Sequence, residues 1–176
     1  AYGVPVYQML GGKFRDSIRV YCDTDVDGKH TGHDMGLALK KRMDMGFTFL
    51  KMDLGIGLLL DEPGTLNAPL GLIDDMKTYA PHILNVQGGS VTADMVRHQK
   101  SYQIVNTAHP FTGIHLTEKG LDYLENYVKE VRDVIGYEVP LAIDHFGHVC
   151  VEDCIRFARR MEPYNLAWIE DMVPWM

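Results

Sequence analysis

A chain of 176 residues with 46% hydrophobic residues can bury one core and suggests one domain. Its 24 acidic residues against 17 basic ones leave a formal charge of −7, which argues against nucleic acid and anionic membrane as partners, since both reward a basic face. No apolar run approaches the roughly 20 residues of a membrane span, and no secretory leader is visible ahead of Ala1. The expectation is a cytoplasmic protein. The chain opens on AYGVPVYQMLGG without a Met, as though cut from something longer.

In chain order, residues 18–23 (IRVYCD) have the β-branched and aromatic content of a short buried strand. Residues 24–33 are polar and contain glycine, hence a loop. Met35, Ala38, Leu39 and Met43 then recur at helical spacing, and Gly46 supplies the stop. Residues 47–54 (FTFLKMDL) form the second expected strand. From residue 55 to 117 no period is sustained, although short helices fit 68–79 and 93–102; a stretch this long reads as a functional insertion or lid. Leu121, Leu124, Tyr127, Val128, Val131 and Ile135 trace one stripe of a helix that starts near Thr117 and ends at Gly136. A strand over 139–144 (VPLAID), a helix over 151–161 and a strand over 165–170 (NLAWIE) complete the series.

The order β-α-β-insertion-α-β-α-β demands parallel pairing with right-handed crossovers, so the fold class is α/β. A small open sheet and half of an eightfold barrel both satisfy it. The cysteine count of three leaves no complete disulfide framework. Cys22 sits in an apolar run and Cys150 and Cys154 share a helical face, so all three read as buried thiols in a reducing compartment, with a CxxxC metal pair as the alternative that no second ligand pair accompanies.

Alternate side chains of a strand share a face, so Lys51 and Asp53 point the same way at the carboxyl end of the second strand. Asp144 ends the third strand and Glu170 the fourth, with Trp168 on the face of Glu170. Ionisable residues thus recur at the carboxyl ends of successive strands, the edge where α/β barrels place their active sites. Carboxylates converging there need a cation, and Mg²⁺ takes oxygen ligands of this kind. A lysine beside such a metal becomes a plausible base. Taken singly, a strand-ending carboxylate is more often a helix cap and a lysine a solvated charge. His145 and His148 flank the proposed ligand Asp144 and suit either acid catalysis or a backbone-bonded loop. Asp171 points to the opposite face and reads as a cap. The Gly11–Gly12 pair is a turn, because no phosphate-binding pattern accompanies it.

The run GVPVYQMLGGKFRDSIRVY (residues 3–21) resembles the entry into the barrel in the mandelate racemase/muconate lactonizing family of the enolase superfamily. FLKMDLG (49–55) is similar to that family's second-strand K-x-K, LAIDHFGH (141–148) to its third-strand metal Asp, and LAWIEDMVPW (166–175) to its fourth-strand metal Glu. The ordered set carries the resemblance; each motif alone is weak. It implies the N-terminal half of a (β/α) TIM-type barrel: residues 1–12 as a linker from a capping domain, 13–176 as the partial barrel, and 55–117 as its insertion. It also implies one Mg²⁺, with Asp144 and Glu170 as the first two of three carboxylate ligands and Lys51 as the first lysine of K-x-K. The family's chemistry is abstraction of the proton α to a carboxylate, with the enediolate stabilised by the metal.

Asp53 stands where the second lysine would be, which favours a sugar-acid dehydratase over a racemase or cycloisomerase. Another residue could then take the proton in place of the second lysine, with Tyr79, Tyr102 and His109 of the insertion as candidates, and Lys51 and Asp53 stay catalytic candidates on the strand. The implied protein is a Mg²⁺-dependent lyase acting on an acid sugar or hydroxy acid and homo-oligomeric at full length. A non-catalytic relative of the scaffold is the alternative from another class, and a glycosidase would need neither the lysine nor the metal. With the third ligand expected beyond residue 176, this segment by itself is expected to be inactive and to associate through its exposed edge strand.

Overall fold

The computed structural model describes residues 2–74, 111, 113–144, 146 and 149–172. After a single exposed turn, α1 (Val6–Met9), the chain runs without regular structure to Thr31. There a capping box starts α2 (Gly32–Asp44): the Thr31 hydroxyl accepts from the Asp34 N–H, and the Asp34 carboxylate accepts from the Thr31 N–H. The side-chain period first registers at Met35, so it misses these opening residues. Gly46 adopts φ +94° just past the helix and donates its N–H to the Met43 carbonyl, the expected stop.

Strand β1 (Leu50–Asp53) follows, then a 3₁₀ turn (Ile56–Leu59), β2 (Leu66–Asn67), β3 (His115–Leu116), α3 (Glu118–Ile135), β4 (Leu141–Asp144), α4 (Val151–Met161) and a closing 3₁₀ turn (Glu162–Tyr164). Strands β1 and β4 pair in parallel, from Leu50 with Leu141 to Asp53 with Asp144. Outside β1, Cys22 bridges Leu50; outside β4, Ile169 bridges Ile143; both bridges are parallel. The Lys51 N–H donates to the Cys22 carbonyl at 2.9 Å and the Glu170 N–H to the Ile143 carbonyl at 2.9 Å. Four successive segments therefore lie side by side in chain order, all parallel.

The outer pair are extended segments with one bridge each, not the six-residue strands that residues 18–23 and 165–170 suggest. Among the described residues each has a neighbour on one side only, and a ladder with one side paired is short. The inner strands are also trimmed. Phe47 gives its N–H to the Arg42 carbonyl and so belongs to the tail of α2, and β4 begins after Pro140, which has no N–H to give.

One face of this sheet carries the core. Leu50, Met52, Leu141 and Ile143 are fully buried against Met35 and Leu39 of α2, Leu124, Val128 and Val131 of α3, and Phe157 and Met161 of α4. The described parts of 55–117 make no pairing with β1 or β4; β2 and β3 pair with each other, antiparallel. Ile56, Leu59, Ile114 and Leu116 nonetheless join the core, so both ends of this apparently patternless stretch are packed. Of the helix expected over 68–79, only residues 72–74 are helical among those described, and that expected over 93–102 lies outside them. All three thiols are free, but only Cys154 is buried. Cys22 lies on the outermost segment and Cys150 at the head of α4, and both stay half-exposed, which corrects the reading of three buried thiols. Among the described residues no helix is long and apolar enough to cross a membrane.

Close approach between layers depends on glycine. A Cβ on Gly32 would collide with the Tyr127 carbonyl of α3, and one on Gly36 would come to 2.7 Å from Val134. A Cβ on Gly120 would strike the backbone carbonyl of Thr65. Buried Arg132 then ties the end of α3 to the approach to the fourth segment, donating to the carbonyls of Gly136 (3.0 Å), Tyr164 (3.0 Å) and Asn165 (2.9 Å). Because backbone cannot yield as a side-chain tip can, Gly120→Ala should lower the unfolding free energy by about 1–3 kcal/mol. Lys129→Ala, which removes an exposed pair with Asp133, should change it by no more than about 0.5 kcal/mol. Equal urea midpoints for the two variants would show that this contact does not constrain the fold.

Candidate active site

The parallel register decides which side chains meet. Because Met52 and Ile143 face the helices, Lys51, Asp53 and Asp144 face the other way, as the alternation in the sequence requires. The bridges extend the same parity to Asp23 on one flank and to Trp168 and Glu170 on the other. Two layers result. The inner one is aromatic: Phe49 stacks on Trp168 at 5.0 Å between centroids, and Tyr21 meets Trp168 edge-on at 5.7 Å. The outer one, at the carboxyl ends, is charged, in the manner of layered barrel interiors.

Lys51 is the centre of the charged layer. It is only 5% exposed. Its ammonium is ion-paired with Asp144, lies 3.3 Å from Glu170 Oε2 and 4.0 Å from Asp23 Oδ2, and sits 5.4 Å from the centroid of the Tyr21 ring. Trp168 Nε1 donates to the same Glu170 oxygen at 3.1 Å, so Glu170 is oriented from two sides. Burial works against the charge on Lys51, but hydrogen bonds to Asp144 and Glu170 and the fields of Asp144 and Asp23 outweigh it and raise its pKa above the usual lysine value. In this arrangement Lys51 is a cation at neutral pH.

The carboxylates outnumber it. Oxygens of Asp23, Asp53 and Asp144 lie within 4.8 Å of one another, and Glu170 approaches through Lys51 and Trp168. Three carboxylates around one ammonium, with Asp53 beside two of them, are hard oxygen donors that fit a divalent cation of the Mg²⁺ type. Asp23 was not singled out from sequence, yet it obeys the rule that picked the others, a carboxylate ending its strand-like run IRVYCD. Of the remaining candidates, His145 and His148 lie outside the described residues, as do Tyr79, Tyr102 and His109. Phe146, between the two histidines, is fully buried and stacks on Phe157 at 3.9 Å, anchoring the chain just after Asp144. Asp171 sits in a turn at φ +60°.

Comparison with known proteins finds relatives of this chain. The family model described as enolase C-terminal domain-like matches residues 34–176. A D-galactonate dehydratase family member, RspA, from Cellvibrio japonicus is 28% identical over 171 residues, covering 97% of this chain and 34% of the relative. A D-mannonate dehydratase from Rhizorhabdus wittichii is 27% identical over 177 residues, covering 99% and 35%. The chain thus spans about a third of the length of these curated relatives. Among solved structures, a mandelate racemase/muconate lactonizing enzyme-like protein from Rubrobacter xylanophilus superposes with a TM-score of 0.58 at 21% identity, over 98% of this chain and 36% of the other. An enolase from Pantoea ananatis with bound D-gluconate and Mg gives 0.54 at 24% identity, over 98% and 35%. These structural likenesses carry the fold.

If the cluster takes a divalent cation, millimolar Mg²⁺ should raise the thermal midpoint of the chain by mass action on the folded state. Asp144→Asn should abolish most of that rise, whereas Asp25→Asn, outside the cluster, should keep it. An equal response in both variants, measured by differential scanning fluorimetry, would mean that the ion acts elsewhere.

Proposed function

The chain belongs to the enolase C-terminal domain-like family, and on that premise we propose that it is the site-bearing part of a Mg²⁺-dependent lyase that dehydrates a sugar acid. The observation that carries this reading is the convergence of Asp23, Asp144 and Glu170, from three different parallel segments, on the ammonium of Lys51. The names of the relatives, a D-mannonate dehydratase and a D-galactonate dehydratase family member, favour a polyhydroxy acid as substrate.

In this reading Asp144 and Glu170 would hold the metal, with Asp23 close enough to Asp144 to contribute an oxygen. The bound ion supplies positive charge where negative charge develops on the substrate carboxylate. Lys51, buried between Asp144 and Glu170, orients both carboxylates and lies on the same face as the proposed site. The α-proton goes to a base, the β-hydroxyl leaves with a proton as water, and the resulting enol becomes a 2-keto-3-deoxy acid. Asp53 is the strand-borne proton acceptor of this chain, and His145 and His148 are the proposed proton donors to the departing hydroxyl. A racemase of this family would want a second amine base at position 53. A carboxylate there, in register with Asp144, favours elimination. Residues 1–12 then lead in from a capping domain, and 13–176 supply the first barrel strands.

The test is an assay of 2-keto product, with solvent deuterium exchange at the α-carbon, across a panel of aldonic acids. It is run on this chain and on a polypeptide of the relatives' length that contains it. The longer protein should turn over at least one acid only with Mg²⁺, and Lys51→Met in saturating Mg²⁺ should cut turnover by about 100-fold or more while the circular dichroism spectrum is kept. Neither exchange nor elimination with any acid would refute the lyase reading, and near-wild-type turnover in Lys51→Met would remove Lys51 from the mechanism.

A further inference from the structure

Away from the carboxylate cluster, three residues form a chain of a different kind. Cys150 is the residue that caps the N-terminus of α4, and its Sγ lies 3.6 Å from His115 Nε2. The other ring nitrogen, His115 Nδ1, lies 2.8 Å from Oδ2 of Asp153, one turn into the same helix. Asp153 is almost fully buried and rigidly held: the Leu116 N–H donates to Oδ2 at 3.1 Å, and Arg156 Nη1 donates to Oδ1 at 2.6 Å. The carboxylate accepts from Nδ1–H of His115, and in the neutral tautomer so selected Nε2 is the nitrogen that faces the thiol. Nucleophile, base and orienting carboxylate thus stand in the order and within the reach that thiol activation needs.

We propose that Cys150 is a nucleophilic thiol, with His115 as its proton acceptor and Asp153 as the positioning residue, and that it exchanges with low-molecular-weight disulfides to form a mixed disulfide. His115 Nε2 takes the S–H proton and the Cys150 sulfur attacks one sulfur of the disulfide. The S–S bond breaks, and the departing thiolate takes the proton back from His115. Cys150 is oxidised into the new S–S bond, and the leaving sulfur is reduced to a thiol, so no further oxidant is required.

The surrounding charges explain why the base is needed. Burial, followed by the fields of Asp153 and Glu152, pushes the Cys150 thiol above its usual pKa, so at rest it is protonated. Arg156, itself paired with Glu118 of α3 at 2.5 Å, offsets the charge of Asp153. A path for the reagent exists: Cys150 is half-buried, and the His115 side chain is 33% exposed. The other two thiols serve as internal controls. Cys22 is also half-buried, but its Sγ–H donates only to the Asp23 carbonyl among the described contacts. Cys154 is buried, donates to the Met172 carbonyl and is pushed up to about 11.

The test treats the full chain at neutral pH with oxidised glutathione and, separately, iodoacetamide, and follows each cysteine by peptide mass spectrometry. Cys150 should react about tenfold faster than Cys22, with Cys154 slowest. His115→Gln should slow Cys150 by about tenfold without changing Cys22, while continued protection of Cys154 certifies the fold. Should that variant unfold, the wild-type pH profile decides. A rate for Cys150 that levels off in the imidazole range supports the proposal, and one that climbs steadily into the thiol range overturns it. Cys22 reacting as fast as Cys150, or a folded His115→Gln with unchanged Cys150 reactivity, would equally overturn it.

Discussion

The rest of this structure turns on one buried ammonium. Lys51 lies between Asp144 and Glu170 with almost no access to water, and a charge so placed is tolerated only where opposite charges meet it. Those partners come from the neighbouring strand and from the segment beyond it, so the pairing specifies register as well as charge. A slip of one residue in β1 would turn Lys51 into the helices and set Met52 against the carboxylates. The apolar face and the charged face therefore enforce the same alignment, and the candidate active site is built by the interaction that fixes the sheet.

Delivery of Glu170 to that point depends on the helical layer. Arg132 is buried at the end of α3, and its guanidinium spans carbonyls on both sides of the last crossover, holding Tyr164 and Asn165 where the fourth segment begins. Five residues on, Glu170 meets Lys51 and Trp168. The close seating of α3 on α2 and on Thr65, possible because Gly32, Gly36 and Gly120 have no side chain, places Arg132 at the depth it needs.

Helices α3 and α4 are joined by a network of charges. Arg160 contacts Glu118, Asp122 and Glu125 at 2.6–2.8 Å, and Arg156 contacts Glu118 and Asp153. Exposed pairs of this kind each contribute little, on the order of 0–1 kcal/mol. Their consequence lies inward, where Arg156 neutralises buried Asp153 and leaves that carboxylate free to orient His115 toward Cys150. A surface network and a thiol centre thus share one guanidinium.

Local signals in the sequence determined a good deal of this. Helical spacing located α3 and α4 closely, because an amphipathic stripe must recur every three to four residues wherever the helix packs. Alternation within FLKMDL and LAID told which side chains leave the core, because a strand has no other choice. Strand-end carboxylates marked Asp144 and Glu170, and the same rule, carried to the first segment, reaches Asp23. Only the tertiary structure decided the rest. That Lys51 is the shared partner of both acids, that the outer segments make one bridge apiece, that Arg132 faces inward, and that His115 meets Cys150 and Asp153 are all contacts between residues about thirty to more than a hundred positions apart. No local period encodes such contacts, because they arise when separate elements are packed to a common depth.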